Sequence, residues 1–283
     1  MTDTATPNPP AAAPERATRP AAPRSQTLEI DCTLSHQVNG PADFLFQILA
    51  LKGMDQQVLE ESLVITPPLP QHIYADPIVG HRFLRLDADA DPVGLKYTAR
   101  VLRTPLPIDP AAREMSIADL PDDLLHHLNP TRCCESDHRG RTAQKMFGAL
   151  PPGHARVQAI VDWIHDYLEY HVGSLWATTI ARDVFVQRAG VCRDFARLGV
   201  TVCRALNILA RRVVGYALFV EPLPDSHAVF KAIRGGCWVM FDATCISPVD
   251  ELIRIATGRD AKDVAFATIF GPATMSPLIA PAG

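Results

Sequence analysis

No block of lysine and arginine runs through this sequence, and none of its apolar stretches is long enough to span a bilayer. With a formal net charge of −4 over 283 residues, the first absence argues against a surface built to neutralise phosphates or to dock on anionic lipid. Nucleic acid and membranes are not expected partners. The continuous apolar segment of a secretory signal is also missing from the beginning, so the expected compartment is the cytoplasm. Residues 1–27 contain no Val, Ile, Leu, Phe, Tyr or Trp but six Pro and seven Ala. Such a segment cannot offset its ordering entropy by burial and reads as a disordered tail. Paired cysteine spacing is lacking as well. The seven cysteines (Cys32, Cys133, Cys134, Cys192, Cys203, Cys237 and Cys245) are odd in number and scattered, unlike a disulfide framework, and are expected to be reduced. No pair has zinc-knuckle spacing, and Cys133, Cys134 and His138 form a weak cluster with no second half. A plain loop is the preferred reading there, and neither metal nor cofactor is expected.

What is present is enough apolar residue, 47% of the chain, to bury one large core or two modest ones. From Thr27 to His36 the residues alternate, with Leu28, Ile30, Cys32, Leu34 and His36 on one face; Leu95, Tyr97, Ala99 and Val101 repeat the pattern. Both are half-buried strands, with shorter apolar runs at 44–51 and 83–86 between them, so the first hundred residues read as mainly β. After Pro105, Pro107 and Pro110 the period changes: Val157, Ile160, Val161, Ile164 and Leu168 recur at helical spacing. A short helix is expected to start at Thr178 and Thr179 and to stop at Gly190. Residues 192–206 are apolar on nearly every face, which marks a central, buried helix. A strand is expected over 212–220, then a hairpin of 228–233 with 237–241 turning at Arg234 and Gly235.

Cysteine chemistry needs a thiolate, and the unpaired N–H groups and positive dipole end of a helix N-terminus favour it. Cys192 begins the buried helix; the other six cysteines lack that setting and read as small buried or half-buried thiols. A two-residue turn at Arg234 and Gly235 puts His227 directly opposite Asp242, with Cβ atoms about 4.5–5.5 Å apart, close enough for a carboxylate to hold an imidazole. No other histidine has such a partner in view.

These residues resemble the bacterial transglutaminase-like proteins, which share the papain-like core. The resemblance is carried by GVCRDFARLGVTVCRALNILARRVVGYA (190–217), SHA (226–228) and WVMFDAT (238–244), with support from NPTRCCESD (129–137), YHVGSLWATT (170–179) and GRDAKDVAFATIFG (258–271). It implies an α+β protein in which a Cys-bearing helix packs on an antiparallel sheet carrying His and Asp, behind a mainly β N-terminal domain. By position it assigns Cys192 as nucleophile, His227 as base and Asp242 as third member. Family members commonly carry an aromatic residue where this chain has Val229, and a proline where it has Ala243, so a differing cleft is implied.

The expected organisation is a tail over 1–27, a β domain over 28–115, a linker over 116–150, a catalytic domain over 151–271 and a second tail over 272–283. The expected activity is cysteine-dependent acyl transfer from an amide-bearing peptide, protein or small molecule to water or an amine. Peptide-bond cleavage is the alternative within enzymes, and a non-catalytic binding module is the alternative from another class. Trp176 and Tyr216 are candidates to line an acyl pocket or to pack in the core. Asp194 either orients groups at the nucleophile or answers the helix dipole. Arg259 and Asp260 either approach the cleft or form a solvated pair. The backbone N–H of Cys192 is one expected oxyanion donor.

Overall fold

The computed structural model describes residues 25–275 except 79, 90, 108, 110, 174–177 and 218–225. Six strands come first: β1 (Gln26–Val38), β2 (Ala42–Phe46), β3 (Gln56–Thr66), β4 (Gln71–Ala75), β5 (Arg82–Ala88) and β6 (Asp91–Arg103). Then follow α1 (Gly140–Phe147), α2 (His154–Tyr167), β7 (Glu169–Tyr170), α3 (Ala181–Gln187), β8 (Ala189–Gly190) and α4 (Cys192–Ala205). The chain ends in β9 (Ala210–Tyr216), β10 (His227–Arg234), β11 (Cys237–Phe241), β12 (Ile253–Gly258), β13 (Ala267–Phe270) and β14 (Ala273–Met275). No described helix is long and apolar enough to cross a membrane.

The alternation at the start of the chain becomes the long antiparallel pair of β1 and β6, in register from Gln26↔Arg103 to Val38↔Asp91. Their inward residues meet Phe44, Phe46, Leu84 and Leu86 of a second sheet in one apolar core. The sheet orders are β14-β1-β6-β3 and β13-β2-β5-β4. The last two strands of the chain therefore return to edge the N-terminal sheets. This corrects the expected tail over 272–283, because residues 273–275 pair with 36–38. It also means that β13, placed by sequence in the catalytic domain, belongs to a sheet of the N-terminal one. Gln26 and Thr27, expected in the first tail, already pair in β1, since Arg103 and Leu102 lie opposite to receive them; the rest of that tail, up to residue 24, lies outside the described residues.

The C-terminal half has its own core. Val157, Ile160, Val161 and Ile164 of α2, Ala143 and Phe147 of α1 and most of α4 pack with Ala228, Phe230 and Phe241. The segment expected as a linker thus contributes a core helix, α1. All eleven residues from Asp194 to Arg204 are buried: the apolar ones pack on several faces, while Asp194 pairs with Arg197 and Arg204 donates to the Ala210 and Arg259 carbonyls. Its fit is close: a Cβ on Gly199 would stand 2.5 Å from the Phe230 ring, so glycine admits that ring between helix and sheet. The sheet beneath has the order β11-β10-β9-β12. The expected α3 starts and stops elsewhere. Asp183 reaches back to the Ile180 N–H at 3.2 Å, and Arg188 ends the helix in the left-handed region at φ 56°. Gly190 instead pairs with Tyr170 in the short parallel bridge of β7 and β8.

Candidate active site

Cys192 is the first residue of α4, half-buried, with its Sγ 3.9 Å from the Ser226 carbonyl oxygen. What fixes it there is Asp194, whose Oδ2 accepts the Val191 N–H at 3.0 Å while Oδ1 pairs with Arg197. Asp194 is 0% exposed. Both carboxylate oxygens are engaged inside the protein, Oδ2 on a helix-start donor and Oδ1 on Arg197, so Asp194 answers the helix start, as one of its two readings had it, and neither oxygen is left for a substrate. Gly190 makes that reach possible, since a Cβ on it would meet the Asp194 Cβ at 2.6 Å.

The hairpin departs from its expected register by one residue on each strand. Arg234 pairs with Cys237 and Phe230 with Phe241, so the turn residues are Gly235 and Gly236, at φ 52° and 79°. Two successive positive φ angles are what a two-residue hairpin turn demands, and two glycines supply them where Arg234 does so poorly. Continuing that register sets Asp242 across from Val229, diagonal to His227. Because both strands slip together, the two side chains stay on one face, and a diagonal pair remains within reach of long side chains. The imidazole Nε2 lies 2.8 Å from Asp242 Oδ2, with His227 1% exposed.

The Cys192 thiol stands close enough to the His227 ring to act on its protonation. Burial opposes an imidazolium, but the Asp242 hydrogen bond, the nearby Cys192 thiol and the charges of both outweigh it, and His227 is pushed up to about 9. Asp242 mirrors this: burial resists ionisation, yet the His227 hydrogen bond and charge, with the Thr244 donors, hold it below the usual carboxylate range. Below the pair, Arg212 is buried beside Arg197, and the charges of Cys192, Cys134 and Asp194 act on it.

Two residues were missed by sequence reasoning. Thr244 gives both its N–H (2.9 Å) and its hydroxyl (2.7 Å) to Asp242 Oδ1, leaving Oδ2 for the histidine. An Asp-x-Thr turn carries that signal, because short polar side chains bond the backbone two residues on. Tyr170, held across from Gly190, stacks obliquely on Phe195 at 6.0 Å, and its phenol stands close to the backbone N–H of Cys192. Burial, with the charge of Cys192 adding, pushes that phenol up to about 12. Nothing local in the sequence announces a contact made across 22 positions.

The remaining candidates scatter. Tyr216 donates its hydroxyl to the Ile48 carbonyl at 2.9 Å and packs edge-on against Phe266, which ties the sheet that carries His227 to the β domain. Trp176 lies outside the described residues. Arg259 is paired with Asp263 at 3.0 Å, whereas Asp260 is buried and caps the Cys133 and Lys262 N–H groups. Cys133 and Cys134 sit in the core while His138 is exposed and beside Asp137, so those three do not converge. Cys237 and Cys245 are exposed, not buried or half-buried as expected.

Fold and site together define a mixed α/β protein with a transglutaminase-like core behind a mainly β region, and comparison with known proteins gives the family. Residues 140–243 match the profile of the transglutaminase-like superfamily, and residues 27–122 that of the bacterial transglutaminase N-terminal domain. The chain belongs to this family. A candidate cysteine protease from Cytophaga hutchinsonii, known from its crystal structure, is 40% identical at a TM-score of 0.84, with 89% of this chain and 88% of that one covered. An uncharacterised protein of Mycobacterium leprae is 28% identical over 163 residues, 54% of this chain and 56% of that protein. One from Mycobacterium tuberculosis is 34% identical over 116 residues, 36% of this chain and 37% of that protein. The match thus spans just over half the length of the first of these curated relatives and about a third of the second.

Proposed function

We propose that this chain transfers acyl groups from amides through a thioester on Cys192, with His227 as base and acid and Asp242 as the carboxylate that orients it. The observation that carries the reading is the buried 2.8 Å contact of His227 with Asp242, on a ring whose protonation the Cys192 thiol also influences. The thiol gives its proton to the imidazole, whose charged form Asp242 favours. The thiolate attacks the amide carbonyl carbon, and the negative oxygen that forms is met by the backbone N–H of Cys192, with the neighbouring Tyr170 hydroxyl as a second donor. The imidazolium protonates the leaving nitrogen, the C–N bond breaks, and a thioester and free amine or ammonia result. Water or an amine then attacks the thioester, giving its proton to His227, and Cys192 is released.

The amide donor and the acceptor are read from products. Incubation with a library of amide donors, with and without primary amines, is expected to release ammonia or amine, with acyl transfer when an amine is supplied. Cleavage of peptide backbones would favour a peptidase instead, the reading supported by the Cytophaga relative's description. No turnover with any donor would favour a binding module.

A further inference from the structure

On the face of β10 that carries His227, further along the strand, Lys231 is 5% exposed and has no hydrogen-bond acceptor among the described residues. The strand pairing sets Arg211 directly opposite it, an arrangement of like charges that destabilises a sheet unless something lies between. Arg103 and Arg254 stand close by, and both turn to a single carboxylate, Asp55. Arg211 has the Trp238 ring as its recorded partner, at 4.1 Å. The Nε–H groups of Arg103, Arg211 and Arg254 are buried with no acceptor among the described residues. Positive charge and hydrogen-bond donors are both in surplus here, in a protein whose net charge is −4. A buried ammonium and three guanidiniums are costly to keep without counter-charge.

Next to this cluster is a cavity of about 70 Å³, walled by Asp55, Arg103, Lys231, Trp238, Met240 and Asp250 among others. It has room for a few water-sized bodies and is too small for an organic acid or a nucleotide. We propose that this cavity binds a small monovalent inorganic anion of the size of chloride, held by the Lys231 ammonium and the Arg103 guanidinium. Arg103 comes from β6 of the N-terminal sheet and Lys231 from β10 of the catalytic one, so the anion joins the two halves of the molecule. Burial first, then the charges of Arg254 and Arg211, pull an unliganded Lys231 down to about 7; a bound anion returns it to the charged form.

The test is thermal unfolding of the full chain at pH 7.5, with sodium chloride or bromide exchanged for sodium gluconate at constant ionic strength. Wild type is expected to gain a few degrees as chloride rises, to a plateau, and Lys231→Met to show no such dependence. Bromide-soaked crystals of the wild-type protein are expected to show an anomalous peak beside Lys231 Nζ, a readout that survives if the variant does not fold. Equal chloride dependence in both proteins, or none in the wild type, or crystals without the peak, would overturn the proposal.

Discussion

His227 and Lys231 lie on the same face of β10 and are both buried, yet they hold their protons in opposite senses. Burial works against the charged form of each. At His227 the Asp242 hydrogen bond and the nearby Cys192 outweigh it, and the group is pushed up to about 9. At Lys231 the neighbouring Arg254 and Arg211 add to it, the charge of Asp55 does not compensate, and the group falls to about 7. Burial thus sets how much a partner matters, and the partner sets the sign. One strand carries a completed charge pair at its start and an uncompensated cation further along.

The comparison breaks most heavily where the completed pair is dismantled. His227→Ala is expected to lower kcat by at least about 10⁴, and Asp242→Asn by roughly 10³–10⁴, because the amide stabilises the wrong imidazole tautomer. Steady-state kinetics on any donor found by product analysis measures both. The double variant should be little worse than the worse single one, since the two act as a unit; losses that multiply would make Asp242 a structural carboxylate. Thr244→Val removes one hydrogen bond from Asp242 Oδ1 and leaves the backbone one. It is expected to cost roughly tenfold in kcat, about one hydrogen bond's contribution, with the melting temperature little changed.

A pH series sharpens the contrast. The alkaline limb of kcat/KM is expected near pH 9, as an apparent value belonging to the Cys192–His227 pair. Stability has a definite sign. His227 is raised in the folded state, so its contribution is complete below its ordinary value of 6.5 and is lost as pH rises through about 9. Lys231 acts oppositely: its folded value of about 7 lies below its ordinary 10.5, so its unfavourable contribution fades as pH rises across that window. Chemical denaturation of wild type and His227→Gln between pH 6.5 and 9 should show the variant losing less stability, or gaining more, as pH rises. Parallel curves would mean that Asp242 does not favour the charged histidine. The smallest effect is expected from Lys231→Met in low chloride. Replacing a buried, unpaired cation by an apolar chain of similar length should leave stability unchanged or raise it by about 1 kcal/mol.

The long strands β1 and β6 were legible because one face of each is wet and the other dry, which writes their period into the sequence. The strand β4 is exposed along its whole length and β14 is three residues long, so neither leaves a pattern to read. Helix α4 announced itself by apolar residues on nearly every face, although Asp194, Arg197 and Arg204 are buried with them. The pairing of His227 with Asp242 survived a misplaced turn because a slip of one residue on both strands preserves the face; a slip on one strand alone would have separated them. Asp194 kept two readings because a carboxylate at a helix start looks the same from sequence whether it faces the site or is sealed in; the structure selects the helix-start role. The charge cluster around Lys231 could not be read at all, since Asp55, Arg103, Arg211 and Arg254 come together only through the packing of two halves distant in sequence.

The most direct test of the central claim is mass-mapped iodoacetamide labelling of the seven thiols at neutral pH. Access alone favours Cys237 and Cys245, which are exposed, over the half-buried Cys192 and Cys32 and over Cys133, Cys134 and Cys203 in the core. Activation by the helix start and His227 predicts the reverse order at the top: Cys192 alkylates first, by a margin that His227→Ala removes. Labelling that begins at Cys237 or Cys245, with Cys192 no faster than Cys32, would contradict its assignment as the nucleophile.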